Sequence, residues 1–338
     1  MNFYPNVRIF VAYTDEGKAI KGILMIRRAL RRLLPIDLLT ISFILVNIAY
    51  VFAARGLIEE PFSILSGYAL CLGATALIIA IGDPERGPAR ASPIASVFRG
   101  ARGFVRQAYP FAFLAFFFLA VTRFDTVVFK SDLDPYFAAM DTALVGSVPS
   151  SWLMAKYPSF LLSELLHGAY IVYYVSIPGL ALWLYRRNKR GLSEYVFVAM
   201  LVFYAASLVY AIVPVVGGRF DPAVQAMTET YRYGPFTRAM AYIYRSSGHR
   251  GAAFPSAHAM LSLVIALIAR RRARPLWPLL GINAALVLAA TLYCGYHYAV
   301  DLVSGLAFVA ALYPLGLRLQ SSAKSGYPAA ALEGSDAA

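Results

Sequence analysis

Eight apolar runs, most of them near the roughly 20 residues a helix needs to cross a bilayer core of about 30 Å, dominate this 338-residue chain. They lie near 36–54, 62–82, 108–122, 160–184, 194–216, 255–269, 276–296 and 298–317. Hydrocarbon offers no partner to a backbone N–H or C=O, so each run must bond internally as a helix. The expected fold is all-α: a polytopic membrane helical bundle of about eight transmembrane helices. The composition, 59% hydrophobic and 14% charged, agrees with that class and not with a soluble domain. The third and sixth runs are short. They are expected to be extended by flanking polar turns or to end where protein, not lipid, surrounds them.

Orientation follows from the cations. With the N-terminus inside, 22 of the 31 Lys and Arg fall on the inner side, as the positive-inside rule requires. Both termini are therefore expected in the cytoplasm, a bacterial inner membrane being the expected location. The net charge of +13 is explained by these short inner loops, and no nucleic-acid motif accompanies it. Residues 20–34 read as a basic amphipathic helix lying on an anionic leaflet. The first 35 residues lack the order of charged, apolar and small-residue parts that a removable signal peptide needs. Cys71 and Cys294 sit in apolar runs without metal or redox spacing and read as packing residues, Cys294 being near enough to His297 to shape a pocket. Residues 319–338 read as a disordered cytoplasmic tail.

Against this background the ionisable residues within the apolar runs stand out, because each is costly in hydrocarbon. Phe254-Pro255-Ser256-Ala257-His258 opens the sixth run, and Tyr296-His297-Tyr298-Ala299-Val300-Asp301 follows the seventh, with 39 positions between the histidines. Two antiparallel helices turning at Arg270 to Arg274 return both histidines to one membrane level. That level is the outer side, so the site is expected to face the periplasm or exterior. On a helix, the spacing of His297 and Asp301 puts them on one face, where the carboxylate takes one imidazole N–H and leaves the other nitrogen nucleophilic.

These residues resemble the type 2 phosphatidic acid phosphatase superfamily, which shares its phosphate pocket with vanadium haloperoxidases. Pro255-Ser256-Ala257-His258 is similar to the family's Pro-Ser-x-His element, and His297 with Asp301 to its His-x-x-x-Asp element. The Phe254-Pro255-Ser256 lead-in and the run Tyr293 to Leu302 look most like the inositol phosphorylceramide synthase branch, which transfers head groups between lipids. The resemblance implies a six-helix phosphatase-like catalytic core at 108–318. Residues 1–35 are then a cytoplasmic basic segment, and 36–107 two added helices with a basic inner loop. The family's Lys-x6-Arg-Pro and Ser-Arg elements are not intact: Arg219 stands near the first, and Thr291 replaces the arginine of the second. Arg250, His249 or Arg245 could supply the missing charge.

The resemblance implies that His297 takes the phosphoryl group, Asp301 orients it, and His258 acts as general acid on the leaving oxygen. Ser256, Arg219 and Arg250 would hold phosphate oxygens, with His249, Glu164 and His167 as head-group or supporting residues. Water as second acceptor gives a phosphatase and an alcohol gives a transferase, with transfer favoured. A lipid phosphate or phospholipid is the implied partner, with no cofactor and no metal.

Each residue also has a structural reading. Pro-Ser is a frequent helix start with the serine as cap. His297 with Asp301 could be a buried hydrogen bond, and Arg219 an interfacial anchor. Glu164 and His167 read first as a polar link between helices. Tyr231 to Arg245 mixes aromatics and cations like an interfacial helix that gates lipid access. The acidic residues of 123–159, Asp125, Asp132, Asp134 and Asp141, read as solvated surface charge on amphipathic outer structure. A lipid carrier or inactive homologue would carry the same cluster without chemistry. A metal enzyme would use His249, His258, His297 and Asp301 as ligands. An intramembrane serine protease is disfavoured by Pro255 and the missing Gly-x-Ser context.

Overall fold

The computed structural model describes residues 33–81, 92–221, 224–225, 234–247 and 250–324. Most of the basic 20–34 segment, His249, Tyr231 to Tyr233 and the tail beyond 324 lie outside the described residues. The described part is helical without strands: α1 (Pro35–Ala53), α2 (Pro61–Ile81), α3 (Pro93–Ala108), α4 (Leu114–Val121), α5 (Asp134–Val145), α6 (Pro149–Lys156), α7 (Phe160–Arg187), α8 (Lys189–Tyr210), α9 (Pro235–Ser247), α10 (Ala257–Arg272), α11 (Trp277–Tyr293) and α12 (Ala299–Lys324). Several starts carry local signals. Ser92 caps α3 through Ala95 N, Ser159 caps α7 through Leu162 N, and Asn188 caps α8 through Gly191 N.

Among the described residues, seven helical stretches are long and apolar enough to cross a membrane, which makes this an integral membrane protein. The third is not the short 108–122 run. It reaches from Ile94 to Val127, because α3 continues through the 3-10 turn Tyr109–Phe113 into α4. Most of what reads as a basic inner loop is therefore helix. The remaining expected span, the sixth, is α10, only 16 residues or about 24 Å long, and every residue from Ala257 to Ala269 is buried or half-buried. A helix apolar all round belongs in a protein interior, and α10 is packed among α7, α8, α11 and α12.

The core gathers on α8, whose apolar stretch is 72% inside the protein against 22% for α2 and α12. The added α1 docks on α8 by a Phe43–Tyr204 stack at 4.1 Å, a Tyr204 Oη donation to Thr40 Oγ1 (3.1 Å) and a Tyr50 Oη donation to the Ala211 carbonyl (3.1 Å). It is tied to α3 by a buried bidentate pair, Arg106 to Asp37 at 2.8 and 2.5 Å, with Tyr109 Oη on the same carboxylate at 3.1 Å. Such a pair fixes which faces meet more than it adds stability, because desolvation offsets the Coulomb gain. At the end of α10 remote from His258, Glu194 of α8 accepts from Arg271 (3.3 Å) and Arg272 (2.6 and 2.7 Å).

Helix α8 stops at Tyr210, six residues before the end of the expected span. Pro214 explains this, since a proline disfavours helical backbone in the residue before it and has no N–H to give. Residues 211–217 instead form a loop that carries Arg219 back over the helix ends.

Candidate active site

The hairpin α10–α11, turned at Arg274–Leu276, brings its two ends together as the sequence predicts. The rings of His258 and His297 stand 5.8 Å apart. His258 lies in the first turn of α10, whose cap is Ser256. His297 is not on a helix: it closes the loop after α11, and Asp301 sits in the first turn of α12. The expected one-face geometry is thus replaced by a cap geometry. Asp301 Oδ2 accepts from Tyr298 N at 2.9 Å and faces His297 Nδ1 at 3.3 Å. The carboxylate turns back from the helix start to the residues just before it, the same reach as in a capping box. Asp301 is fully buried and His297 is 4% exposed, so the remaining nitrogen of His297 is shielded from bulk water.

The two histidine segments are cross-linked by backbone. Ser256 N donates to the Asp301 carbonyl (3.0 Å), joining the two, and within the second segment His297 N donates to the Thr291 carbonyl (3.0 Å). Ser256 Oγ accepts from Ala259 N at 3.3 Å, so the cap reading of this serine holds, and its side chain is fully buried.

Arg219 comes to the aromatic cluster around the histidines, since Tyr244 packs 5.0 Å from Tyr296. Its guanidinium stacks over Tyr244 (4.2 Å) and Phe220 (4.6 Å). Burial pulls its pKa below the usual value, while the fields of Tyr244, Tyr296, Tyr174 and Tyr170 oppose that pull. The same burial, with Tyr174 nearby, raises the Tyr244 phenol, against the field of Arg219. The loop that delivers Arg219 is close-fitted to the His297 loop. Gly217 has φ +97°, and a Cβ there would lie 2.6 Å from the Tyr296 carbonyl oxygen, so only glycine fits.

Arg250 is placed differently. Its side chain is 64% exposed and paired with Asp132 at 2.7 Å, and it stands over the other contact of Arg219, the Phe220 ring, at 5.4 Å. It occupies the rim, not the centre. His249 lies outside the described residues. Glu164 is a link between helices: it accepts from Phe236 N (2.9 Å), Thr237 N (3.0 Å) and the Thr237 hydroxyl, fixing the start of α9 against α7. His167 Nδ1 meets the Ser163 carbonyl at 2.7 Å and Cys294 Sγ at 3.6 Å, and its ring packs 5.9 Å from Tyr296, one layer behind the histidine pair. Cys294 thus packs against His167 behind the histidine pair.

Three of the acidic residues of 123–159, Asp125, Asp134 and Asp141, depart from the solvated-surface reading, while Asp132 keeps to it at the rim. Asp141 is fully buried and Asp125 6% exposed. Asp141 accepts from Ala299 N (2.8 Å) and Val300 N (3.1 Å), the first two amides of α12. Asp134 accepts from Val216 N and Gly217 N, both at 2.8 Å, and from Tyr298 Oη at 3.2 Å. Each carboxylate meets two adjacent backbone donors that would otherwise be orphaned, which is why both are drawn inward. Burial raises the Asp141 carboxyl even so, against the lowering effect of its two amide bonds. Burial also raises the Tyr298 phenol, and Asp134 adds to it. The site is therefore braced from outside by α5, a support that its sequence spacing does not reveal. Among the described residues no three His, Cys, Asp or Glu side chains are grouped to hold a metal ion.

Tyrosines complete the pocket. Tyr174 Oη and His258 Nε2 are 3.1 Å apart, and the ring of Tyr170 is 4.9 Å from that of His258. Beside them opens a cavity of about 820 Å³, lined almost wholly by apolar side chains of α3, α4 and α7. Along α7 its lining runs from Ile171 to Ala181, about 15 Å, and it has His258 in its wall.

Together the fold and site define a helical integral membrane protein with a histidine pair, the buried member braced by a carboxylate and the other in the wall of a lipid-sized apolar cavity. A family model described as the PAP2 superfamily matches residues 136–315, and the chain belongs to that superfamily. Its members are generally phosphatases and phosphotransferases. The match takes in His258, His297, Asp301, Arg219 and Asp141, and leaves α1 to α4 outside. No curated protein and no solved structure matches the chain.

Proposed function

We propose that the protein is a phosphotransferase that moves a phosphoryl-containing head group between lipids through a phosphohistidine at His297. The observation that carries this reading is the juxtaposition of His258 and His297, 5.8 Å apart, with a cavity of about 820 Å³ that would take an acyl or other hydrocarbon tail. His297, oriented by Asp301, attacks phosphorus. Its ring becomes cationic, and the adjacent carboxylate offsets that charge. His258 gives a proton to the leaving oxygen and in the second half-reaction takes one from the incoming hydroxyl. Arg219 neutralises the phosphoryl oxygens, and Arg250 at the rim meets the head group on its way in. Ser256 supports the site by starting α10 at the right residue, and its hydroxyl proton remains for a phosphoryl oxygen.

Phosphoinositol is the head group that the branch resemblance favours. The catalytic core is proposed at 108–318, both termini on the cytoplasmic side and the site facing the periplasm or exterior. No step in the scheme calls for a metal. Hydrolysis uses the same residues with water as acceptor, and a carrier would need no nucleophile, so activity decides between them. Purified protein in detergent is given phosphatidic acid and phosphatidylinositol, with and without a lipid alcohol such as ceramide or diacylglycerol, in excess EDTA. Transfer that depends on the alcohol and survives EDTA is expected. Phosphate release indifferent to alcohol would establish the hydrolase, and loss of all activity in EDTA would overturn the metal-free scheme.

A further inference from the structure

Tyr170 of α7 is fully buried, and its hydroxyl has no hydrogen-bond partner among the described residues. Buried polar groups almost always have partners, so such an orphan calls for a reason. Other deep tyrosines show what satisfaction looks like here: Tyr210 donates to the Pro255 carbonyl (2.6 Å), Tyr195 to the Ile177 carbonyl (3.2 Å) and Tyr204 to Thr40 (3.1 Å). What sets Tyr170 apart is its place. Its ring packs 4.9 Å from His258 and 4.7 Å from Tyr296. Tyr296 in turn packs 5.0 Å from Tyr244, the ring over which Arg219 stacks.

A phosphoryl group bound between His258 and His297 presents more acceptor oxygens than Arg219 alone can meet. We propose that Tyr170 is a binding residue for the phosphoryl group: its Oη–H donates to a non-bridging oxygen, strongest when phosphorus is transferring to His297. The proton stays on Tyr170, and no bond to it is made or broken. The hydroxyl is left unpaired in the substrate-free protein because its partner is the substrate. A neutral donor thus stands where a second cation would otherwise be needed. This inference rests on the phosphoryl-transfer reading of the site.

The test is Tyr170→Phe, which keeps the ring and removes only the hydroxyl. Orthovanadate serves as the probe, since it mimics the five-coordinate phosphorus of the transition state and such mimics bind tightly. Three quantities are measured: melting temperature without ligand, the rise in melting temperature with vanadate, and kcat and KM on whichever of phosphatidic acid or phosphatidylinositol the wild type turns over. The expected result is an unchanged or higher melting temperature, since an unpaired buried hydroxyl is lost. It should come with a smaller vanadate response and a kcat about 10- to 100-fold lower at similar KM. A ligand-free protein that melts well below wild type would overturn the proposal, since the hydroxyl would then have a structural partner. So would unchanged kcat and vanadate response. The two readings fail separately. If wild type turns over neither lipid but vanadate stabilises it and Tyr170→Phe loses that effect, the phosphoryl site stands without the lipid reaction. If vanadate stabilises neither protein and neither is active, both readings fall. If His297→Ala is inactive while Tyr170→Phe matches wild type, only the role of Tyr170 falls.

Discussion

His297→Ala is expected to lose at least about 10⁴-fold in kcat on any lipid that the wild type uses, because the residue is both nucleophile and carrier of the intermediate. The imidazole is 4% exposed and bonded to a fully buried carboxylate, so no water or neighbouring side chain can take its position without rearrangement. His297→Asn offers Asp301 an amide N–H in place of the ring N–H and separates chemistry from folding. It should melt near wild type and be equally inactive. Retention of more than a few per cent of wild-type turnover in either variant would show that another group attacks phosphorus.

The second large effect is expected far from the reacting atoms. Asp141→Ala removes the acceptor of Ala299 N and Val300 N, leaving two half-buried donors unpaired at the start of α12. Each such orphan costs about 1–3 kcal/mol, enough to shift or unwind the first turn. That turn holds Asp301, whose Oδ2 places both Tyr298 N and His297. A misplacement of about 1 Å in a positioned nucleophile can cost about 10²-fold in rate. Asp141→Ala should therefore lower both melting temperature and kcat, the latter by about 10²-fold, with KM less affected. Full activity in a protein that melts normally would show that the α5 brace is not needed to set the site. Measurement of kcat and thermal unfolding on the same detergent preparation decides this.

Much of the bundle was readable in the chain, and the reasons for the misses are physical. Long apolar runs must be helices in a bilayer, so α1, α2, α7 and α11 lie where hydropathy puts them, and α12 starts there but continues to Lys324, so that 319–324 are helix and not the expected disordered tail. Helix α3 was read as a basic loop because Arg99, Arg102 and Arg106 lower its mean hydropathy. Yet these arginines recur at helical spacing, and Ser92-Pro93 is a helix start. That period was the better signal. The overrun of α8 past Tyr210 ignored Pro214 in the same way. At the candidate site, the meeting of His258 with His297, and of His297 with Asp301, was legible from the hairpin and its spacing, while Arg219 entered only through resemblance to a family motif. The roles of Asp134 and Asp141 were not, since each accepts from backbone more than 80 residues away and a backbone amide leaves no trace in sequence. Tyr170 and Tyr174 were hidden for a related reason: within a run of apolar and aromatic residues, a tyrosine that serves a ligand looks like one that serves the core.

The most direct test of the central claim is to trap the intermediate. Wild-type protein is mixed briefly with head-group-labelled phospholipid or phosphatidic acid without acceptor alcohol, quenched in alkali, where phosphohistidine survives, and mapped by mass spectrometry. A phosphoryl-containing adduct on His297, discharged when the alcohol is added and missing in His297→Asn, is the predicted result. Turnover with no adduct at His297, or with label on another residue, would contradict the account.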